Sequence, residues 1–338
     1  MKYHIKKNGD IGVCSAQIRP CPIGGPESHF DNKEDAFQAL EDRYGLSTDH
    51  QRDLFVEKKQ KQEKFSTLEA NDRARYVEEL TSIALADGQS SMDQFFDKNY
   101  NMWTDERVEL HEKLLSAMAL KYSNVPKDGK VIISGGLPGA GKTTVLTRNL
   151  GLDLSETTPA YATISSDDFK EMIAEEGMVP EIDGLTPMEA STLVHLESSY
   201  LADELLNRMT QNKTNIIYDC TCKNVKSTQR RIGTFMNKGY KDKDIQLVFV
   251  DIPMNLSHER AKYRYKEGLN NNRIGGRYVP PTTIDLCKPK NKKHNSKNAE
   301  TILKLSADDK FEMPTPIVFD NSGDQPIQLN FNEFKGEK

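Results

Sequence analysis

From residue 126 onward, short apolar runs alternate with longer stretches in which apolar residues recur at helical spacing. The apolar runs predict five strands, at 131–135, 161–165, 215–219, 246–251 and 316–320. The stretches between them predict helices at about 142–150, 168–175, 188–211, 225–238 and 255–267. This alternation is typical of an α/β fold in which helices flank a parallel sheet and catalytic groups lie at the carboxyl ends of its strands.

Two other patterns precede residue 126. Residues 1–45 predict a small α+β module with a hairpin, a Pro- and Gly-rich segment and a helix that starts near Asp31. Residues 46–125 predict a helical extension. One of its helices is expected to bury Tyr76, Leu80, Ile83 and Ala84, and the last, from Thr104, is expected to pack on the sheet edge through Val108, His111, Leu115 and Met118. The chain is thus predicted to have three parts, 1–45, 46–125 and 126–338.

Composition narrows the class of protein. The 338 residues carry a net charge of -5 and 36% of them are hydrophobic, with a mean hydropathy of -0.68. No apolar run approaches the roughly 18 residues of a membrane-spanning helix, and the first residues lack the pattern of a signal peptide. We therefore expect a cytoplasmic protein without a membrane partner, and the negative charge argues against a nucleic-acid partner.

The five cysteines do not predict a disulfide framework, because their number is odd and their spacing irregular. Cys14, Cys21 and His29 are three potential zinc ligands, but this segment has no C-x-x-C pair and no evident fourth ligand. We expect reduced thiols in a packed loop instead.

Residues 136–143 have the composition of a loop that binds a triphosphate. This glycine-rich segment ends in Lys-Thr and directly follows the apolar run at 131–135. Glycines let successive backbone N–H groups point into one concavity, Lys142 can span the β- and γ-phosphates, and the Thr143 hydroxyl can bind Mg²⁺. The alternative is a glycine turn without a ligand. We predict a site for ATP, with GTP as the alternative nucleotide, formed by Gly136, Pro138, Gly139, Ala140, Gly141, Lys142, Thr143 and Thr144.

Acidic residues follow two of the predicted strands. Asp167 and Asp168 come after the strand at 161–165, where one could accept the proton of a hydroxyl that attacks the γ-phosphate and the other could contact substrate. Asp219 ends the strand at 215–219 and could hold Mg²⁺ or its waters, while Thr221 could hydrogen-bond a substrate. The simpler alternative for each acid is to cap the helix or turn that follows.

Arginines cluster after the fourth predicted strand. Arg260 and Arg264 lie in a predicted helix, and Arg273 and Arg277 lie in a Gly- and Asn-rich loop. Guanidinium groups bind the equatorial oxygens of a phosphoryl group during transfer. A helix and a flexible loop that carry them are typical of a closing lid, which we expect at about 258–298.

These motifs, in this order, resemble the zeta toxins over roughly residues 104–285, most closely from 195 to 281. The resemblance implies a P-loop kinase that uses ATP to phosphorylate a hydroxyl of a nucleotide sugar, typically UDP-N-acetylglucosamine, as the toxin of a toxin-antitoxin or phage-related system.

The family's Asp-x-Phe-Arg appears here as Asp167-Asp168-Phe169-Lys170, which implies that Asp167 is the general base. The catalytic residues are then Asp167, Lys142, Arg260 and Arg277, with Arg273 as a competing, ATP-binding arginine. The substrate-binding residues are then Asp168, Glu197, Asp219 and Thr221.

Two departures leave the acceptor open. The His-Pro pair that often follows the family's Asp-x-Phe-Arg is replaced by Ile173-Ala174, and Asp219-Cys220-Thr221 is also close to the Asp-x-Thr of polynucleotide and small-molecule kinases. A lysine-rich segment, 287–298, lies outside the family pattern and is either solvated or in contact with a further phosphate. One alternative is therefore a kinase for polynucleotide 5′-hydroxyl ends or a dinucleotide such as NAD. Another is a nucleotide-binding regulator without catalysis.

The inhibitory partner is open as well. In toxin-antitoxin systems a helical antitoxin covers the ATP site, and residues 46–100 could do the same in cis. The simpler alternative is a structural extension of the core, since amphipathic helices most often pack against a core.

Overall fold

The computed structural model describes residues 2–5, 11–13, 29–33, 35–36, 38–39, 70–155, 157–271, 274–290, 293–308 and 310–336. The chain divides into two compact units, residues 1–69 and 70–338. The three-part division expected from the sequence stays a prediction.

In the first unit, three short strands form an antiparallel sheet with β1 in the centre. The strands are β1 (Tyr3–Ile5), β2 (Ile11–Val13) and β3 (His29–Phe30). The pairing of β1 with β2 confirms the predicted hairpin. The Asn32 side chain accepts a hydrogen bond from the N–H of Asp35 at 2.9 Å, so Asn32 caps the helical residues that follow. Cys14 and Cys21 lie outside the described residues.

The helical extension contributes three helices and a two-stranded ribbon to the second unit. They are α1 (Ala70–Ala86), α2 (Ser91–Phe95), β4 (Phe96–Asp97), β5 (Met102–Trp103) and α3 (Asp105–Lys121). Leu110, Leu114, Leu115 and Met118 of α3 belong to the same hydrophobic core as the central sheet. Val108, expected in this buried row, is exposed, because the apolar face of α3 is centred on the leucines.

Helix α1 is rotated relative to the predicted face. Tyr76 and Ile83, expected to be buried, are exposed, whereas Arg73 and Val77 are buried. The reason is a long-range partner, since Arg73 forms a buried ion pair with Glu189 at 2.6 Å. A pattern of apolar positions does not reveal a buried arginine.

A six-stranded sheet forms the centre of the second unit. Its strands are β6 (Val131–Gly136), β7 (Ala162–Ile164), β8 (Ile216–Asp219), β9 (Ile245–Asp251), β10 (Ile317–Asp320) and β11 (Ile327–Leu329). The order across the sheet is β11-β10-β9-β6-β8-β7, and every neighbouring pair is parallel except β10 with β11. The α/β class and the five predicted strands are confirmed. The short antiparallel edge strand β11 is not predicted, because its three residues form no apolar run.

Helices cover the sheet. They are α4 (Lys142–Thr144) continued by a π-helical turn (Val145–Asn149), α5 (Ser166–Glu175), α6 (His195–Thr210) preceded by a 3₁₀ turn (Ala190–Val194), α7 (Val225–Asn237), α8 (Met254–Asn271), α9 (Pro281–Asp285), α10 (Lys297–Ser306) and α11 (Phe331–Lys335), with a further 3₁₀ turn (Asp242–Asp244) before β9. In the described part of the chain, no helix is both long and apolar enough to cross a membrane.

A buried cluster of charges joins the extension to the helices of the sheet. Arg107 of α3 and Glu197 of α6 are 1% and 0% exposed, and Arg107 Nη1 lies 3.5 Å from Glu197 Oε1. His111 Nε2 lies 2.8 Å from the same oxygen, and Arg107 Nη2 donates to the carbonyl of Met178 at 2.7 Å. The guanidinium also lies over the Phe95 ring, 4.2 Å from its centroid. This cluster fixes α3 against α6.

The position of Glu197 corrects the expectation that it binds substrate. Its side chain has no exposed surface, and its carboxylate contacts Arg107 and His111 of α3 instead of a cleft. Burial lowers the pKa of the Arg107 guanidinium, and the negative charge of Glu197 opposes that change. We assign Glu197 a structural role in the interior.

Glu197→Ala is expected to lower the free energy of unfolding by about 3–5 kcal/mol, because it leaves the buried Arg107 charge without its partner. Urea unfolding followed by circular dichroism measures the change. Arg208→Ala is the matched control: Arg208 and Glu112 pair across the same two helices, but their side chains are 33% and 60% exposed. Its cost should be below about 1 kcal/mol, and equal losses in the two variants would contradict the assignment.

Candidate active site

The phosphate loop follows β6 and adopts a backbone that requires glycine. Gly136 and Gly141 have φ of 149° and 85°, which residues with a Cβ rarely adopt. A Cβ on Gly136 would lie 2.6 Å from the carbonyl oxygen of Val250, and one on Gly141 would lie 2.4 Å from Nδ2 of Asn321. The loop therefore closes tightly against β9 and the end of β10, in the shape expected of a phosphate-binding loop.

Side chains from outside the loop hold three of its successive backbone carbonyls. The contacts are Ser257 Oγ with the Pro138 oxygen at 2.7 Å, Arg260 Nη1 with the Gly139 oxygen at 3.5 Å, and Asn321 Nδ2 with the Ala140 oxygen at 2.7 Å. In a planar trans peptide the N–H points away from the carbonyl. The N–H groups of Gly139 and Gly141 therefore point away from these side chains, toward the side on which a phosphate would bind.

Arg260 is one of these bracing residues. Besides the contact with Gly139, its Nη2 donates to the carbonyl of Asn321 at 2.9 Å. Both contacts are with backbone oxygens that shape the loop. The expected contact of Arg260 with the transferred phosphoryl group stays a prediction, and the contacts described here support the loop.

Lys142, at the start of α4, lies close to Asp219, at the end of β8. Lys142 Nζ lies 3.6 Å from Asp219 Oδ1, and Ser134 Oγ donates to the same oxygen at 3.3 Å. The parallel pairing of β6 with β8 sets Ser134 opposite Asp219, so the sheet register places the acid beside the loop. The N-cap of α7 is Asn224, whose side chain accepts from the N–H of Ser227. Asp219 is therefore not needed as that cap.

Asp167 lies at the start of α5 with cations on two sides. Ser165 caps the helix by accepting from the Asp167 N–H at 3.2 Å, which leaves the Asp167 carboxylate for other contacts. Its Oδ2 lies 2.9 Å from Arg277 Nη1 and its Oδ1 lies 3.3 Å from Lys170 Nζ. Burial alone would raise the pKa of Asp167, but Arg277, Lys170 and Lys142 together lower it below its usual value. The carboxylate is therefore ionised at neutral pH.

Asp168, the next residue, has the opposite electrostatic environment. Burial, reinforced by repulsion from Glu171, raises the pKa of Asp168 to about 6. Two neighbouring carboxyl groups whose pKa values are pushed apart are typical of an acid–base site. Of the two, Asp167 is the one that carries a charge throughout the neutral range.

Thr221 lies beside the phosphate loop, at the end of β8. Its backbone carbonyl accepts from the Gly136 N–H at 3.4 Å and from the Asn298 side chain of α10. The sulfur atoms of Cys220 and Cys222, the residues on either side, lie 3.2 Å apart and are reduced. The half-buried Thr221 is thus held at the edge of the loop, within the region where an acceptor would bind.

A cleft opens between the phosphate loop, α8 and the segment 274–280, which we call the lid segment. Glu171, Arg264 and Arg277 line this cleft. The sequence does not single out Arg264. It lies one helical turn after Arg260, on the same side of α8, but Arg264 lines the cleft whereas Arg260 contacts the phosphate loop. Arg273, the competing lid arginine, lies outside the described residues.

The oxygen atoms near the loop fit a magnesium ion. Among the residues that the structure describes, no group of three or more His, Cys, Asp or Glu side chains could hold a metal ion. Mg²⁺ in nucleotide sites, however, is bound by one or two protein oxygens together with phosphates and waters. Thr143 at the start of α4 and Asp219 at the end of β8 offer two such oxygens.

This arrangement defines the class of protein. A parallel sheet in which one strand leads through a glycine loop into a helix, with an acid at the end of the neighbouring strand, is a P-loop kinase-like fold. The chain belongs to the zeta toxin family, whose pattern matches residues 116–308, more than half of its length.

Two solved structures illustrate what the chain is similar to. A chain of the AvrRxo1-ORF1:AvrRxo1-ORF2 complex with ATP is 20% identical, with a TM-score of 0.49, and the match covers 69% of this chain and 68% of that one. A chain of the PezAT chromosomal toxin-antitoxin system of Streptococcus pneumoniae is 17% identical, with a TM-score of 0.48, and the match covers 68% and 81%. No curated protein matches the sequence.

Asp168→Asn is expected to change how stability depends on pH. Because the folded pKa of Asp168 is about 6 and the unfolded one is near 4, the unfolded state loses its proton first and wild-type stability falls between pH 4 and 6. Asn cannot titrate, so the variant gains stability relative to wild type across this window. Two pKa units correspond to about 2.7 kcal/mol, which partial exposure reduces to about 1 kcal/mol.

Urea unfolding at half-unit pH steps measures this gain. Asp324→Asn, which changes an exposed carboxyl group, is the control and should show no trend. A difference between Asp168→Asn and wild type that stays constant from pH 4 to 7 would contradict the raised pKa.

Proposed function

We propose that this chain is an ATP-dependent kinase that transfers the γ-phosphate of ATP to a hydroxyl of a nucleotide sugar, with UDP-N-acetylglucosamine as the first candidate. One observation carries the proposal: the ionised Asp167 carboxylate lies 2.9 Å from the lid-segment residue Arg277, and Lys142 of the phosphate loop lowers its pKa. A base, a phosphate-binding lysine and an arginine are the groups that phosphoryl transfer to a hydroxyl requires.

The contact between Arg277 and Asp167 suggests how the base becomes active. While the two are paired, the arginine keeps the pKa of Asp167 low and its carboxylate weakly basic. When ATP binds, the γ-phosphate offers Arg277 a second anionic partner. Transfer of the guanidinium to the phosphate would remove one of the cations that oppose the effect of burial, so the pKa of Asp167 would rise although Lys170 and Lys142 still lower it. The carboxylate would then accept the proton of the attacking hydroxyl.

The other residues have supporting roles in this proposal. Lys142 would neutralise the β- and γ-phosphates, and Arg264 would join Arg277 on the equatorial oxygens because both line the same cleft. A magnesium ion held by Thr143 and Asp219 would supply positive charge to the phosphates. Asp219 ends β8, Thr221 follows it, and Asp168 lies in the first turn of α5, after β7. The acceptor would bind at this edge of the sheet.

Family membership supports the acceptor class and the biological role. The resemblance to the zeta toxins implies a nucleotide sugar as the acceptor, and the cleft beside the phosphate loop is open to such a ligand. We accordingly propose that the chain is the toxin of a toxin-antitoxin or phage-related system, with a separate antitoxin as its protein partner.

A second acceptor class is favoured by the lysine-rich segment. Lys288, Lys290 and Lys293 are exposed, and the segment continues into α10, whose Asn298 contacts the carbonyl of Thr221. The basic segment therefore leads into a helix that contacts the proposed acceptor position, and its lysines could bind a further phosphate. This observation favours a dinucleotide such as NAD, or a polynucleotide 5′-hydroxyl end.

A panel of acceptors distinguishes these proposals. Purified protein with Mg-ATP is incubated with UDP-N-acetylglucosamine, other UDP-sugars, NAD and 5′-hydroxyl oligonucleotides, and transfer of labelled phosphate is measured. Phosphorylated UDP-sugar is the expected product, and transfer only to NAD or the oligonucleotide would establish the second class. Binding of ATP without transfer to any acceptor would support a non-catalytic regulator.

Asp167→Asn is expected to reduce kcat by about 100- to 10,000-fold, the range of a general base, with little change in the Kd for ATP. Lys142→Ala is expected to abolish transfer and to weaken ATP binding as well, while circular dichroism shows an intact fold. Asp324→Asn is again the control. Unchanged kcat in Asp167→Asn would remove Asp167 as the base.

A further inference from the structure

A buried carboxylate, Glu189, joins three separate parts of the second unit. It is 1% exposed and accepts hydrogen bonds from Arg73 Nε at 2.6 Å and Arg73 Nη2 at 2.7 Å. It also accepts from the Tyr265 hydroxyl and from the N–H and hydroxyl of Thr186 at 2.8 and 2.9 Å. Arg73 belongs to α1, Tyr265 to α8, and Thr186 to the loop before the 3₁₀ turn. We call these four residues the Glu189 hub.

The lid segment rests directly on this hub. Gly275 approaches Thr186 so closely that a Cβ atom there would lie 2.1 Å from the threonine hydroxyl oxygen. A Cβ on Gly276 would lie 2.2 Å from the carbonyl oxygen of Tyr265. Only glycines allow the backbone to approach this closely, so the hub determines where the lid segment lies.

The next two residues connect the lid segment to the reaction site and back to α1. Arg277 reaches Asp167 at 2.9 Å. The Tyr278 hydroxyl donates to Glu78 Oε2 of α1 at 3.4 Å, and the Tyr278 ring lies edge-on to Tyr265 with 5.5 Å between centroids. Helix α1 thus contacts the lid segment through the hub on one side of Arg277 and through Tyr278 on the other.

We propose that α1 is a positioning element of the kinase site: through the Glu189 hub and Tyr278 it fixes the lid segment so that Arg277 points at Asp167. This inference rests on the proposed function and extends it to a helix outside the residues that the family pattern matches. Arg73, Glu189 and Tyr278 touch no reacting atom and act through Arg277. Helix α1 therefore supports the site, in contrast to the cis-inhibition that the sequence left open.

The choice of residues in the hub supports positioning over simple stabilisation. A buried ion pair adds little net stability compared with apolar residues of the same volume. However, Arg73 donates two hydrogen bonds to Glu189, and Glu189 accepts five in all. Together these bonds hold the side chains of the hub in one geometry. The hub thus serves to set the direction of Arg277.

Arg73→Met in the full chain tests the inference, since it keeps most of the side-chain length but removes the guanidinium. Arg75→Met, which changes an exposed arginine of the same helix, is the matched control. We expect kcat to fall by about 10- to 100-fold, the effect of a misplaced catalytic group, with KM for ATP within about twofold of wild type. Arg73→Lys, which restores the charge without the planar fork, should recover part of kcat.

A second measurement does not depend on catalysis. The Asp167 carboxyl is titrated by NMR in protein labelled with ¹³C at aspartate, with Asp167→Asn to assign its signal. The pKa of Asp167 should rise in Arg73→Met, because Arg277 then no longer lies beside it, and should not change in Arg75→Met. A loss of stability alone would leave this pKa unchanged.

Each outcome decides the question. Lower kcat and a higher Asp167 pKa in Arg73→Met support positioning, and values equal to those of Arg75→Met overturn it. If Arg73→Met does not fold, Tyr278→Phe, which loses only a hydroxyl, should shift both quantities in the same direction, and no shift overturns the inference. If wild type transfers phosphate to no acceptor, the proposed function fails while the titration still tests the positioning.

Discussion

Side chains from outside the phosphate loop hold its backbone carbonyls in place, and the rest of the site depends on these contacts. A glycine-rich loop has many accessible conformations, and its N–H groups converge on an anion only if its carbonyls are engaged elsewhere. Ser257, Arg260 and Asn321 provide that engagement from α8 and from the end of β10. The nucleotide site is therefore formed by three parts of the chain that are distant in sequence, and the loop alone would not adopt it.

The charges around the loop form a balanced set before any ligand binds. Lys142 is near Asp219, and Arg277 is near Asp167, so two of the cations proposed to contact a phosphate have acidic partners. These pairs lower the cost of holding like charges close together. In the proposed reaction, the phosphate oxygens of a triphosphate would replace both carboxylates as partners of these cations.

Much of the fold and part of the site follow from the sequence, for identifiable reasons. The phosphate loop is predictable because its residues are contiguous, and Asp167 and Asp219 because catalytic groups of parallel sheets lie at strand ends. The expected role of Glu197 fails because the direction of a side chain on α6 depends on how far that helix is rotated against α3. The sequence places Arg264 in the arginine cluster, but only the fold shows that Arg264 lines the cleft while Arg260 contacts the phosphate loop.

The polar core explains the remaining differences. Arg73 and Glu189 are 116 residues apart in sequence, and neither residue type predicts burial. The apolar pattern correctly predicts that Ala84 is buried, but it also predicts burial of Tyr76 and Ile83, which are exposed. Patterns of apolar residues predict which helix and strand faces are buried. They do not predict two charged side chains that are buried because they form an ion pair.

The hydrogen bond from Asn321 to the phosphate loop also affects the order in which parts of the chain fold. Asn321 and Ala140 are 181 residues apart in sequence, and a chain leaves the ribosome from its N-terminal end. During synthesis, β6 and the loop are exposed long before β10 exists, and a contact of such high sequence separation forms late in folding. A nascent or truncated chain that lacks β10 therefore lacks a finished nucleotide site. The structure thus ties the shape of the phosphate loop to the synthesis of β10.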